Sequence, residues 1–143
     1  MTPDDIAALM QRAYRHQTPW RPDDVAAVTA RRTTRVFSDD GAVLIAQVVA
    51  DEAEILALAT DPDRQREGRA ARLLDTFHAE MAEGGVTRTV LDVAEDNAPA
   101  LALYESRGYR TTAARAAYYK RPEGGHADAL LMARPMTEGH ARS

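Results

Sequence analysis

Between Leu56 and Met81 a strand-like apolar run halts at Asp61-Pro62, a loop bearing arginine and glycine follows, and a long amphipathic pattern begins. This succession restricts the fold more than any other stretch of the chain. Proline has no N–H for a ladder, so the strand at residues 53–60 must end there. Ala70, Leu73, Leu74, Phe77, His78 and Met81 then recur at helical spacing until Gly84-Gly85 close the helix. A loop that leaves a strand and opens a helix exposes unpaired backbone N–H groups at the positive end of the helix dipole, which makes phosphate its natural guest. Gly68 and Ala70 permit close backbone approach, and Arg64, Arg66, Arg69 and Arg72 bring cations to the same end. Unless an anion offsets them, four arginines there oppose the dipole. The plainer alternative is a solvated charged loop before an ordinary helix. Neither the Gly-Lys-Ser/Thr of a nucleotide-hydrolase loop nor a dinucleotide G-x-G-x-x-G is present.

The flanking segments build a mixed sheet around this unit. Ile6, Leu9, Met10 and Ala13 mark a first helix over residues 4–15, with Thr2-Pro3 as its cap and first turn. Pro19 and Pro22 interrupt the pattern, and a short second helix starts at Asp23. Residues 33–38, 42–50 and 53–60 read as three strands joined by turns at Asp39-Asp40-Gly41 and Asp51-Glu52, an antiparallel meander. After the long helix come a strand at 86–94, a helix opened by Asn97 with Pro99 in its first turn, and strands at 109–118 and 127–134 around a loop at 119–126. The order ααβββαβαββ describes an α/β fold, a mixed sheet with a βαβ crossover at its centre, expected as a single domain over residues 1–143.

Composition excludes several classes of function. The chain has 143 residues, 45% of them hydrophobic and 28% charged, which suits a soluble globular domain with a core of its own. With no cysteine it has no disulfide, thiolate zinc site or cysteine nucleophile, so any thiol chemistry must come with a ligand. No apolar run nears the roughly 20 residues that cross a bilayer, and the start lacks the layout of a signal peptide, so the expected location is cytoplasmic, away from membranes. The net charge of −4, without a basic block, gives no footprint for nucleic acid. His16, His78, His126 and His140 lack ligand-like spacing, and no metal is expected.

Gln65-Arg66-Glu67-Gly68-Arg69-Ala70 resembles motif A of the GNAT superfamily of N-acetyltransferases, Q/R-x-x-G-x-G/A, which wraps the pyrophosphate of coenzyme A. Asn97-Ala98-Pro99-Ala100-Leu101-Ala102-Leu103-Tyr104-Glu105-Ser106-Arg107-Gly108-Tyr109 resembles motif B, N-x-x-A-x-x-L-Y-E-x-x-G-F/Y. The resemblance covers about residues 45–136 and implies a GNAT acyl-CoA N-acyltransferase fold, with acetyl-CoA as cosubstrate and a primary amine as acceptor. The family's first strand is apparently missing, because the first helix begins almost at Met1. Within the superfamily the chain is most similar to the RimI type, the ribosomal-protein alanine N-acetyltransferases, through Thr18-Pro19-Trp20, Leu103-Tyr104-Glu105-Ser106 and Tyr118-Tyr119 before Asp128-Ala129-Leu130-Leu131-Met132. The family's N-x-Y-Y-P is here Ala116-Ala117-Tyr118-Tyr119-Lys120, without its asparagine and proline.

The resemblance assigns roles residue by residue. Backbone N–H groups at Leu58, Ala59 and Thr60 are expected on the thioester and pantetheine, and Gln65, Arg66, Glu67, Gly68, Arg69, Ala70 and Ala71 around the pyrophosphate. Ala71 stands where the family often carries a basic or hydroxyl residue. Asn97 is implied as a contact to the pantetheine arm, as its helix cap, or as both. Tyr104 matches the general acid; the alternative is a core tyrosine beside Leu101. A phenol with pKa near 10 protonates a thiolate whose acid is near 8.5 only from a position beside the sulfur. Asp92 stands where RimI-type enzymes carry a glutamate base; one methylene shorter, it acts through water, orients the acceptor, or is an ordinary strand carboxylate. Trp20, Tyr118 and Tyr119 either line the acceptor groove or pack as aromatics. The expected acceptor is the N-terminal α-amine of a ribosomal protein, with a small amine or a non-catalytic acetyl-CoA-binding module as alternatives, and the expected state is a monomer or weak homodimer.

Overall fold

The structure, a computed structural model, describes residues 1–65, 67–121 and 124–136. Helices α1 (Pro3–Ala13) and α2 (Pro22–Thr29) come first, then strands β1 (Thr34–Asp39), β2 (Ala42–Val49) and β3 (Glu52–Thr60). A 3-10 turn at Pro62–Arg64 leads to α3 (Arg69–Glu83), β4 (Arg88–Ala94), α4 (Ala98–Ser106), β5 (Arg110–Lys120) and β6 (His126–Pro135). The six strands form one sheet in the order β1-β2-β3-β4-β6-β5. All neighbours are antiparallel except β3 and β4, the pair that α3 connects.

Local chemistry explains the helix starts. The Thr2 hydroxyl accepts from the Asp5 N–H at 3.1 Å while the Asp5 carboxylate accepts from the Thr2 N–H at 3.0 Å, a reciprocal cap that satisfies two otherwise orphaned donors. The second helix begins at Pro22, one residue ahead of the expected start, because proline is preorganised for a first helical turn.

Further boundaries also differ from expectation. The first helix stops at Ala13, two residues early, since Tyr14 turns to extended backbone at φ −81° and ψ 129°. The strand expected from Val86 begins at Arg88; Val86 is buried in the turn, and Thr87 donates its N–H to the Asp51 carbonyl at 2.7 Å. The loop expected over residues 119–126 shrinks because Tyr119 pairs with Ala127 and Lys120 with His126.

Two apolar clusters cover opposite faces of the sheet. On one face α3 buries Leu73, Leu74, Phe77 and Met81 against Leu44, Ala46, Ile55, Leu91 and Met132. On the other, α1 and α2 bury Ile6, Leu9, Met10 and Val25 against Val43, Ile45, Ala57 and Ala59. Full burial of each large aliphatic side chain contributes about 1.5–3 kcal/mol. The first cluster also holds a polar chain: Thr89 donates to the Tyr109 hydroxyl at 2.9 Å, and that hydroxyl lies 2.7 Å from His78 Nε2. The bond between His78 and Tyr109 ties α3 to the segment between α4 and β5. Burial, followed by the Arg134 charge, pushes the His78 pKa down to about 4.

Candidate active site

The site originates where two parallel strands part. The β3–β4 ladder runs only from Glu52 opposite Arg88 to Ile55 opposite Leu91. Beyond it β3 stays on β2 as far as Thr60, while β4 continues with β6 to Ala94. Leu56 is the extra residue of a β-bulge, with Ile55 facing Ala46 and Ala57 facing Ile45. A bulge bends its strand and increases the twist, and this one lies at the parting point. A cavity of about 500 Å³ opens there, walled by residues 55–60 of β3, residues 91–93 of β4, residues 13–17 after α1, and α4. Backbone groups of residues 56–60 that point away from β2 have no strand partner, so they can take an extended, amide-bearing ligand as a surrogate strand. That property fits the pantetheine arm of coenzyme A.

Of the residues singled out from the sequence, Leu58, Ala59, Thr60, Gln65, Ala70, Asp92, Asn97 and Tyr104 all lie on this one cavity wall. Asn97 also caps α4, its Oδ1 accepting from the Ala100 N–H at 3.3 Å. Gly68 is the N-cap of α3 at φ +76°, a left-handed conformation that glycine adopts without strain. Arg66 lies outside the described residues. Glu67, Arg69 and Ala71 flank the α3 start without being part of the wall.

The loop cations differ from the sequence expectation that an anion must offset them. Arg64 pairs with Asp40 at 2.8 Å, and Arg69 with Glu67 at 2.9 Å and Asp39 at 3.7 Å. Arg72 donates to the Glu67 carbonyl at 2.9 Å. Carboxylates of the chain itself therefore balance Arg64 and Arg69, whereas Arg72 meets only a neutral carbonyl, and the first N–H groups of α3 are suited to an anion beside it. Arg12 ties α1 to the same corner through Asp61 at 2.6 Å.

Two carboxylates face the α1 side of the opening. Glu54 is opposite Val90, which puts Asp92, two residues further along β4, on the same face as a diagonal neighbour. Burial first, then the Asp92 and Glu52 carboxylates, raise the Glu54 pKa above its ordinary value. The Tyr119 pKa is pushed up to about 12 by burial and then by Asp92, so the Tyr119 phenol borders the Asp92 end of the site. Tyr104, 7% exposed, has its ionisation strongly disfavoured by burial and then by the phenols of Tyr14, Tyr109 and Tyr119. Its proton is retained throughout the neutral range.

The remaining aromatic candidates separate. Trp20 packs against the α1–α2 cluster and is not part of the cavity wall. Tyr118 is half exposed, stacked edge-on to Tyr119 at 5.1 Å with the Arg115 guanidinium 4.8 Å from its ring.

Sequence reasoning missed Tyr14 and Gln17, which line the cavity, and Arg121, which holds the α1–α2 connection in place. Arg121 binds the Asp96 carboxylate, with Nε at 3.0 Å, and donates to the His16 carbonyl at 2.8 Å. One signal pointed to Tyr14: at four residues from Met10 it prolongs the apolar stripe of the first helix. The contacts of Arg121 that fix the α1–α2 connection, to Asp96 and His16, span 25 and 105 residues, beyond any local pattern.

Residues 7–109 match the model of the acetyltransferase (GNAT) family. The chain belongs to that family. GNAT proteins of this kind are acetyl-CoA-dependent N-acetyltransferases, and the chain is one of them. It is 37% identical over 138 residues to the [ribosomal protein bS18]-alanine N-acetyltransferase of Salmonella typhimurium, covering 93% of each chain. It is 37% identical over 133 residues to the enzyme of the same name from Escherichia coli K12, covering 90% of this chain and 88% of that one. The crystal structure of the Escherichia coli ribosomal-protein-S18-alanine N-acetyltransferase superposes with a TM-score of 0.85 at 35% identity, over 94% of this chain and 87% of that one. The matched residues take in the parted strands β3 and β4 and the start of α3. Among the described residues no helix is long and apolar enough to cross a membrane.

Proposed function

We propose that this GNAT enzyme acetylates the N-terminal α-amine of a ribosomal protein that begins with alanine, in the cytoplasm, as a monomer or weak homodimer. The observation that carries the acceptor is likeness along nearly the whole chain, 93% of both partners, to an enzyme named for the alanine of bS18. The cavity supplies a consistent chemistry. Leu58, Ala59 and Thr60 hold the pantetheine and thioester along the unpaired edge of β3. Gln65 to Ala71, Arg66 included, surround the pyrophosphate at the α3 N-terminus, and Asn97 meets the arm from α4.

The acceptor enters from the α1 side, between Asp92 and the Tyr118-Tyr119 pair, with Trp20 bracing the α1–α2 connection beside it. Its nitrogen attacks the thioester carbon, a C–N bond forms, and the C–S bond breaks. The ammonium proton passes to Asp92, directly or through water, and Tyr104 gives its proton to the departing sulfur. An α-amine with pKa about 7.7–8.0 is already substantially neutral near pH 7.5, whereas a lysine near 10.4 is not, so a carboxylate base is adequate for an N-terminus. The buried phenol and the nascent thiolate share one poorly solvated site, which narrows the gap between their proton affinities.

The test is thioester consumption with purified protein against a basic peptide starting with alanine, the same peptide N-terminally blocked, and a panel of small amines. Turnover on the free peptide alone is the expected result. Turnover confined to small amines would replace the acceptor, and coenzyme binding without turnover on any amine would reduce the chain to a binding module.

A further inference from the structure

Tyr14 occupies a position that none of the motifs describes. It ends α1, its N–H bonded to the Met10 carbonyl at 2.9 Å, and the extended backbone that follows turns its ring onto the sheet. There it packs against the α1–α2 cluster and lines the cavity on the side opposite α4. Its hydroxyl is buried and has no hydrogen-bond partner, the one side-chain polar atom in that state among the described residues. The Gln17 side chain and the Leu58 backbone lie near enough to ease the cost of ionising the phenol, but neither sits at hydrogen-bond distance and angle from its oxygen. A hydroxyl buried without a partner forfeits its hydration and gains nothing, whereas phenylalanine would pack the same ring at no such cost. The group therefore calls for a partner that arrives with a ligand.

Geometry narrows what that partner is. Leu58 belongs to the part of β3 that has left β4, just beyond the bulge at Leu56. Tyr104 reaches the cavity from α4 and Tyr14 from the end of α1, each packed in the apolar cluster on its own face of the sheet. Leu58 supplies the backbone N–H proposed for the thioester carbonyl, and the Tyr14 phenol lies against the same peptide, so an oxygen that meets one donor meets the other.

We infer that the Tyr14 hydroxyl, together with the Leu58 N–H, donates a hydrogen bond to the oxygen that becomes anionic when the amine adds to the thioester. No bond to Tyr14 is made or broken: the amine's electron pair moves through the carbon onto that oxygen and returns as the C–S bond breaks. Burial holds the Tyr14 proton well above its ordinary affinity, so it is shared in a short charge-assisted bond and not transferred. Such a donor acts on the transition state more than on the bound thioester, so its removal lowers kcat and leaves KM nearly unchanged.

The inference rests on acetyl transfer in this cavity and not on which amine is the acceptor. Tyr14→Phe keeps the ring and removes the donor. The expected result is a fall in kcat of about 100-fold, with KM for acetyl-CoA within about 3-fold of wild type and Tm unchanged or raised. The same ratio is expected for slow acetyl-CoA hydrolysis without amine, which passes through the same oxygen anion. If the alanine peptide is not acetylated but hydrolysis still falls in the variant, the acceptor reading fails and this one stands. Equal kcat and equal hydrolysis in the two proteins, a loss confined to KM, or a lowered Tm would each overturn it.

Discussion

Burial gives Tyr104 its proton and also limits how that proton can be used. A phenol with this little exposure stays protonated at neutral pH, the state a general acid requires, but it gives up its proton only to a base that is as poorly hydrated as itself. In the proposed mechanism the nascent thiolate, shielded from water by the bound coenzyme and the cavity wall, is such a base. Tyr104→Phe is accordingly expected to lower kcat by about 100-fold or more while coenzyme A affinity stays within a few-fold, since the aromatic packing on Tyr109 at 5.6 Å survives. Calorimetric binding beside steady-state turnover checks this, and unchanged kcat would remove Tyr104 from the mechanism. Tyr104 was legible from its motif, because a fixed tyrosine seven residues after a helix-capping asparagine is a local pattern. Tyr14 was not, because its hydroxyl acquires meaning only from what lies across the sheet.

Two elements shape the site, the bulged end of β3 and the start of α3. The meander, the crossover helix and the capping asparagine of α4 were all readable from spacing, since each depends on residues within a dozen positions. The bulge at Leu56 was not, because an extra residue shows only in register against a partner strand. At the α3 start, Gly68 combines φ +76° with a close neighbour: a Cβ there would lie 3.2 Å from Arg72 Nη1. Gly68→Ala should therefore cost about 1–2 kcal/mol of stability from the left-handed backbone. It should weaken coenzyme A binding as well, because the loop that presents the first N–H groups of α3 must shift. Urea denaturation and coenzyme titration measure the two effects, and a variant as stable and as tight-binding as wild type would show that the loop does not need this conformation.

For the whole molecule, the histidine buried between α3 and the sheet governs the response to acid. The His78 pKa stands at about 4 against 6.5 for the free side chain, so between those values the unfolded chain binds a proton that the folded one does not. Stability therefore falls as pH drops from about 6.5 toward 4, by up to about 3 kcal/mol. Glu54, with its raised pKa, acts in the opposite sense near its own titration. The lowered carboxyls of Asp61 and Asp96 add their loss only below the ordinary carboxylate range. Urea midpoints measured from pH 7.5 to 4.5 should decline over this window, and a flat profile would mean that His78 is not held neutral. The histidine could be placed on the core stripe from helical period alone, but its hydroxyl partner lies 31 residues away and belongs to the tertiary structure.

The amino-acid order by itself determined the element types, the glycine-bearing turn before α3, the two acetyltransferase motifs and hence the family, because these depend on periodicity, caps and turn chemistry within short windows. The tertiary structure alone decided where β3 leaves β4, that β6 inserts between β4 and β5, which arginines are already paired, and that Tyr14 and Tyr104 meet across one cavity. Those outcomes depend on register and packing between segments tens of residues apart. The free energy that selects them is that of the assembled sheet and its two apolar faces, which no local window contains.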